Sequence, residues 1–363
     1  RPSSPSKNAS PTAIQPTRPF DTVNAEPSKW DPETSPNSAT IRDQRLYGRG
    51  ASDMKGAFAT MFSAAALLKN LDPRAFSGEI YLVGTVVEEL FEGVCFLEAL
   101  KKIQPDYIII GEASECRLNI AQWGRGEILI SVFGHGKHAS VGRSTVNPLE
   151  QAAFIIEAFH VWYRSEAVAL MGKRNIVPTD IKIPVGGGGG LDGRGGNSTV
   201  PNEVELTYDV RTLPGDTEES IIKLVRDNME PVVSHGKRLY PSFKDPLIEY
   251  AKDECVTYTG VRIRQNKFAP AWQAGEDDEI VARAKQGLQK AAIPVEIGAY
   301  SFCTDGSAVV KYRELYPDRK CQVIGFGPSL ESLAHTTNEY IELDQMKKAF
   351  KGYVGIVSEF LRK

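Results

Sequence analysis

The chain predicts an α/β protein in which a smaller α+β domain interrupts a larger α/β domain. Three observations carry this reading. Before Trp123, short apolar runs at 79–87 and 107–111 end at acidic residues and alternate with helical text, as in sheets buried on both faces. After Trp123 the strand-like segments 127–133 and 203–210 alternate apolar and polar residues, the pattern of a sheet with one wet face. The acidic and histidine motifs fall only in the outer segments, so the middle stretch reads as an insertion.

Taken in order, residues 1 to about 40 are rich in Pro, Ser, Thr and Asn, and 1–17 are expected to be disordered. Small and apolar residues at helical spacing predict a helix over 53–70, with Asp53 at or near its start. A buried strand is expected at 79–87, a helix around 94–101 and a second buried strand at 107–111. Acids just past strand ends lie where open α/β sheets place their sites. In the middle stretch, helices are expected near 148–163 and 217–229, packed on one face of an antiparallel sheet. An amphipathic helix resumes at 277–290, and 299–310 and 322–326 return to strand-like text. The expected domains are therefore 1–17 (disordered segment), 18–123 (first part of the outer domain), 124–272 (insertion) and 273–363 (second part of the outer domain).

Composition narrows the function classes. At 363 residues, 41% hydrophobic and 25% charged, the chain is an ordinary globular protein with room for two cores. A formal charge of −3 gives no electrostatic reason to expect nucleic acid or an anionic membrane as partner. No apolar run is long enough to span a bilayer, and none follows the start as a secretory signal would. Five cysteines, widely spaced and without a C-x-x-C pair, argue against a disulfide framework or a thiolate zinc site, and suit a cytoplasmic location. Because the first residue is Arg1, a processed product, a fragment or an edited chain is expected.

Four short motifs hold the chemistry: Tyr47-Gly-Arg-Gly-Ala-Ser-Asp-Met-Lys-Gly56, Val86-Val-Glu-Glu89, Ile110-Gly-Glu-Ala-Ser114 and Leu333-Ala-His-Thr-Thr337. They supply Asp53, Glu88, Glu89, Glu112 and His335. Carboxylates and imidazole suit zinc, cobalt or manganese at a hydrolytic site. A metal pair needs one bridging carboxylate and terminal ligands, and it lowers the pKa of a shared water. A further carboxylate must then move that water's proton to the leaving group. Taken singly, each residue has a plainer reading: Asp53 as a helix-start acid, Glu88 and Glu89 as a solvated strand end, Glu112 as a loop acid, His335 as a buried, hydrogen-bonded histidine. Their joint presence is what points to metal chemistry. The glycines 186–190 read as a loop and not a phosphate cradle, since no Lys-Ser/Thr follows them.

These motifs, in this order, resemble the M20 metallopeptidases, which include aminoacylases, acetylornithine and succinyl-diaminopimelate deacylases, and carboxypeptidases. The resemblance covers residues from about 20 to the C-terminus. The stretches Gly193-Arg-Gly-Gly-Asn-Ser-Thr-Val-Pro201 and Cys303-Thr-Asp-Gly-Ser307 most resemble the YgeY-like subgroup linked with selenium metabolism. It implies a zinc-peptidase-like catalytic domain with a mixed sheet and an inserted lid/dimerisation domain. Up to two Zn2+ per chain are implied, with Co2+ or Mn2+ as alternatives, and a homodimer formed through the lid. The implied reaction is hydrolysis of an N-acyl amino acid, dipeptide or related small amide. Asp53 matches the bridging ligand, Glu88 the general base, Glu89 and His335 ligands of one metal, and Glu112 a ligand of the other. Asp21 matches the acid that orients the family's first histidine, whose own position is Pro19 here. In Gly134-His-Gly-Lys-His-Ala-Ser140, His138 matches the lid histidine that stabilises the substrate carbonyl from the partner subunit. Arg211 in Asp209-Val-Arg211 matches the substrate-carboxylate anchor, and Asn197 or Ser198 the lid asparagine. The substitution at Pro19 leaves an alternative: a truncated or non-catalytic relative that binds or dimerises.

Overall fold

The computed structural model describes residues 14–17, 21–72, 74–162, 170–184 and 198–363. Two compact units result, one running to Trp123 and resuming over Ala271–Lys363, the other formed by Gly124–Pro270.

The first unit is built on a six-stranded mixed sheet. Its order is Ile14–Thr17, Tyr107–Ile110, Gln322–Gly325, Leu118–Gln122 and Trp272–Gln273, with Ile297–Tyr300 also paired to Leu118–Gln122. The central strands are apolar on both sides because both faces are covered. Ile109 and Ile324 enter a core formed by the helices Gly56–Leu68, Glu279–Lys290 and Leu343–Leu361. Their neighbours Ile108, Ile110 and Val323 enter a second core on the opposite face, with Phe96, Leu100, Val309 and Tyr312. Two of the covering helices nearly touch: a Cβ on Gly355 would lie 2.3 Å from the Gly287 carbonyl oxygen, so only glycine permits that approach. A small antiparallel sheet, Tyr340–Glu342, Arg45–Tyr47 and Ile41–Arg42, completes the unit.

The second unit is antiparallel. Phe268–Ala269, Gly124–Phe133, Glu203–Thr212 and Asn175–Lys182 form its sheet, and Leu247–Tyr250 also pairs with Gly124–Phe133. Burial alternates strictly along Glu203–Thr212. Its inward residues Val204, Leu206, Tyr208 and Val210 pack with Ile155 and Phe159 of the helix Pro148–Trp162, and with Ile221, Val225 and Met229 of Glu218–Leu239. Thr217 and Ser220 cap the latter helix reciprocally.

Four expectations are corrected. The helix expected from residue 53 starts at Gly56, because Ala51–Lys55 is an irregular turn with non-helical angles at Asp53 and Met54. The run 79–87 forms no continuous strand, only single bridges at Ile80 and Thr85. A strand needs a paired edge, and the edge of Tyr107–Ile110 is taken by Ile14–Thr17 in parallel register. That pairing also corrects the disordered reading of 14–17. Pro16 is compatible with it because the strand lies at the sheet's edge. Finally, the strand-like text 299–310 divides: the strand ends at Tyr300, and a helix runs over Ala308–Leu315 after a turn capped by Thr304. Residues 186–190, Pro19 and Asn197 lie outside the described residues.

Candidate active site

Strand pairing brings the ends of the sequence together. Tyr340 pairs with Tyr47, so the loop carrying His335 runs beside the turn carrying Asp53. Gly50 begins that turn in the left-handed region (φ 80°), and Lys55 N–H closes it on the Gly50 carbonyl at 2.7 Å. His335 Nε2 lies 3.1 Å from Asp53 Oδ2 and 3.1 Å from Glu89 Oε2. The three side chains each offer a ligand atom, and all such atoms lie within 4.8 Å of one another. Both carboxylates are half-buried, whereas His335 is exposed, so the cluster opens on one side. The Asp53 and Glu89 hydrogen bonds push the His335 imidazole up to about 10, against the opposing effect of burial.

Glu88 and Glu89 follow Val87, whose φ of 66° turns the chain sharply. The Asp21 carboxylate accepts from the Glu88 N–H at 3.3 Å and the Glu89 N–H at 3.4 Å. Asp21 therefore fastens the acidic pair itself. The Glu88 side chain is buried. Burial first, then the charges of Asp305, Glu112, Glu92 and Asp53, holds its carboxyl well above the ordinary range. Glu112 lies just past the strand Tyr107–Ile110, also buried, and stands outside the three-residue cluster. Its carbonyl accepts from the Tyr300 hydroxyl at 3.1 Å. Gly327 faces it closely, since a Cβ there would lie 2.3 Å from the carbonyl oxygens of both Gly111 and Glu112.

Two acids that the sequence reading left unassigned support this region. Glu339 is fully buried and accepts from the backbone of the Asp53 turn. Asp305, in the quoted Cys303-to-Ser307 stretch, accepts from Thr85 Oγ1 at 2.5 Å and the Gly93 N–H at 2.8 Å. Burial pushes Asp305 up to about 6, against the two hydrogen bonds. The only available signal was an acid inside or beside a motif.

His138 and Arg211 belong to the other unit. His138 starts the short helical turn Ala139–Ser144 and its Nδ1 lies 2.9 Å from Ser140 Oγ. Arg211 lies on Glu203–Thr212 and donates through Nε to Asp209 Oδ1 at 2.7 Å.

Two carboxylates and an imidazole, converging from the turn of Asp53 and the loops of Glu89 and His335, are the donor set of a metallohydrolase, and they fit zinc, which takes nitrogen and oxygen ligands. The model of peptidase family M20/M25/M40 matches residues 20–359, and the chain belongs to that family of metal-dependent hydrolases of peptide and amide bonds. It is 25% identical over 330 residues to the acetylornithine deacetylase of Photorhabdus laumondii, covering 89% of this chain and 73% of that one. It is 25% identical over 316 residues to the uncharacterized protein YgeY of Escherichia coli K12, covering 85% and 71%. Among solved structures, the M20 metallo-carboxypeptidase Sso-CP2 of Sulfolobus solfataricus shares the fold with a TM-score of 0.67, 17% identity and coverage of 98% and 86%. A dinuclear metal binding peptidase of the M20 family from Bacillus subtilis does so with a TM-score of 0.62, 11% identity and coverage of 97% and 82%. Among the described residues, no helix is long and apolar enough to cross a membrane.

Proposed function

We propose that this chain hydrolyses the amide bond of an N-acyl amino acid, a dipeptide or a related small molecule, using a metal held by Asp53, Glu89 and His335. The convergence of those three side chains within 4.8 Å carries the reading. Zinc is the proposed ion, with cobalt or manganese as substitutes. When bound, it polarises the scissile carbonyl and acidifies a water. Glu88, adjacent in sequence to a ligand, takes up the proton and delivers it to the leaving amine. Asp21 keeps Glu88 and Glu89 aimed by holding their N–H groups. A second ion would draw on Asp53 and Glu112, as the relative described as dinuclear encourages.

The remaining roles belong to the same proposal. His138 is assigned to stabilising the substrate carbonyl oxygen, Arg211 to a substrate carboxylate, and the unit containing them to homodimer formation. Light scattering at micromolar concentration checks the last of these, and a monomeric mass contradicts it.

Pro19 favours a second reading, a non-catalytic relative. Release of free amine from a panel of N-acyl amino acids and dipeptides, with the chain loaded with zinc, cobalt or manganese, separates the two. Inertness towards the whole panel with every metal rejects the hydrolase.

A further inference from the structure

Glu339 has no accessible surface, yet each of its carboxylate oxygens is engaged twice. Oε1 accepts from the N–H groups of Ser52 at 2.8 Å and Asp53 at 3.0 Å. Oε2 accepts from the Gly50 N–H at 3.1 Å and from Arg49 Nη1 at 2.7 Å. One side chain thus satisfies three backbone donors of the turn that presents Asp53, and the largely covered Arg49 guanidinium balances its charge. Arg49 reaches the other way as well: its Nη2 donates to the His335 carbonyl at 3.4 Å, and its guanidinium sits over the Trp30 ring, 5.4 Å from the centroid.

The geometry is that of a strut. Asp53 and His335 come from opposite ends of the sequence, and both lie on irregular backbone, with Asp53 at φ −119°, ψ 89° and His335 at φ 62°. Neither conformation is fixed by a helix or a strand ladder. Strand pairing of Tyr340 with Tyr47 brings the two segments together, and beyond that ladder the pair Arg49–Glu339 ties them, hydrogen-bonded to the backbone of both. We propose that Glu339, braced by Arg49, is a positioning residue that sets the spacing of Asp53 and His335 for the metal. The inference rests on the metal-hydrolase reading and extends it to two residues that touch neither metal nor substrate.

The chemistry of the acceptors explains why a carboxylate is required. A glutamine would turn an NH2 group towards either two N–H donors or an N–H and a guanidinium, so one oxygen's worth of bonds would become donor-to-donor contacts. A lysine at position 49 would keep the charge but lose the fork that serves Glu339 and the His335 carbonyl together.

The test measures zinc affinity of the purified full chain by competition with a chromophoric chelator, and the visible spectrum of its Co2+ form. Wild type, Glu339→Gln and Arg49→Lys are compared under conditions where circular dichroism shows each to be folded. Glu339→Gln is expected to bind zinc about 10- to 100-fold more weakly, the usual effect of removing a group that orients a metal ligand, and to change the Co2+ spectrum. Arg49→Lys is expected to shift both in the same direction by less. A purely structural role would lower the melting temperature of the metal-free variants and leave the affinity and spectrum of the folded protein unchanged. That result overturns the inference. If Glu339→Gln does not fold, Arg49→Lys decides alone. A wild-type chain that binds no zinc removes the metal reading and this inference together, whereas equal binding by wild type and variants removes only the inference.

Discussion

Asp53 Oδ2 lies 3.1 Å from His335 Nε2, and Glu89 Oε2 approaches the same nitrogen equally closely. A proton on the imidazole is drawn to both carboxylates, whose hydrogen bonds push His335 up to about 10. A divalent cation would occupy the same balance of charge more fully, displacing that proton as it binds. Replacing His335 with Ala removes the only nitrogen donor of the cluster. Elemental analysis after zinc loading and desalting is expected to find at least one zinc per wild-type chain and a sharp loss in His335→Ala. Equal zinc in both would exclude this cluster as the metal site.

Glu88 is buried next to a ligand but is not one of the three converging groups. A proton carrier in that position can be removed without removing a metal ligand. Glu88→Gln is therefore expected to lower kcat by about 10²- to 10⁴-fold, the usual contribution of general acid–base catalysis, with zinc content unchanged. Retained turnover would assign the proton transfer elsewhere, and lost zinc would make Glu88 a ligand.

The parts of this site visible in the sequence were those that advertise their chemistry locally. Acids at the ends of apolar runs, and a histidine in Leu333-Ala-His-Thr-Thr337, are legible because their residue types suffice to suggest metal binding. Glu339 and Asp305 were not, since their work is to accept N–H groups from segments distant in sequence, and only the folded chain supplies those partners. The same distinction separates the elements. Alternation along Glu203–Thr212 reports one buried face and was readable as a strand. The apolar run 79–87 looked equally strand-like, but a ladder is a property of two segments, and its neighbour's edge is filled by Ile14–Thr17.

Gly327 offers a test of how tightly Glu112 is held. With a Cβ 2.3 Å from two backbone oxygens, Gly327→Ala cannot be relieved by rotating a side chain. The backbone at Gly111 and Glu112 must shift, and overpacking of this kind costs about 1–3 kcal/mol or more. Urea denaturation should show a lower midpoint with an unchanged slope. A variant as stable as wild type would mean that the two loops are not in contact at that distance.

Asp305 gives the pH dependence a defined sign. Its folded value of about 6 lies above the ordinary aspartate value, with burial as the leading cause. Between the two values the folded chain binds more protons at this residue than the unfolded chain does. Stability from Asp305 is therefore full below about pH 4 and is lost as pH rises towards about 6. The loss is on the order of 2–3 kcal/mol. Carboxylates with depressed values contribute the opposite slope, so the raw profile of the chain mixes both. Asp305→Asn removes this titration, together with the charge that helps hold the Glu88 carboxyl up, while keeping a polar side chain beside Thr85 and the Gly93 N–H. Stability measured by urea denaturation at pH 4.5 and pH 6.5, values chosen to lie within and above that window, isolates the effect as a difference. The wild-type chain should lose stability relative to Asp305→Asn on going to the higher pH. Parallel profiles would show that the buried carboxyl is ionised throughout, with Thr85 and Gly93 sufficient to keep its charge.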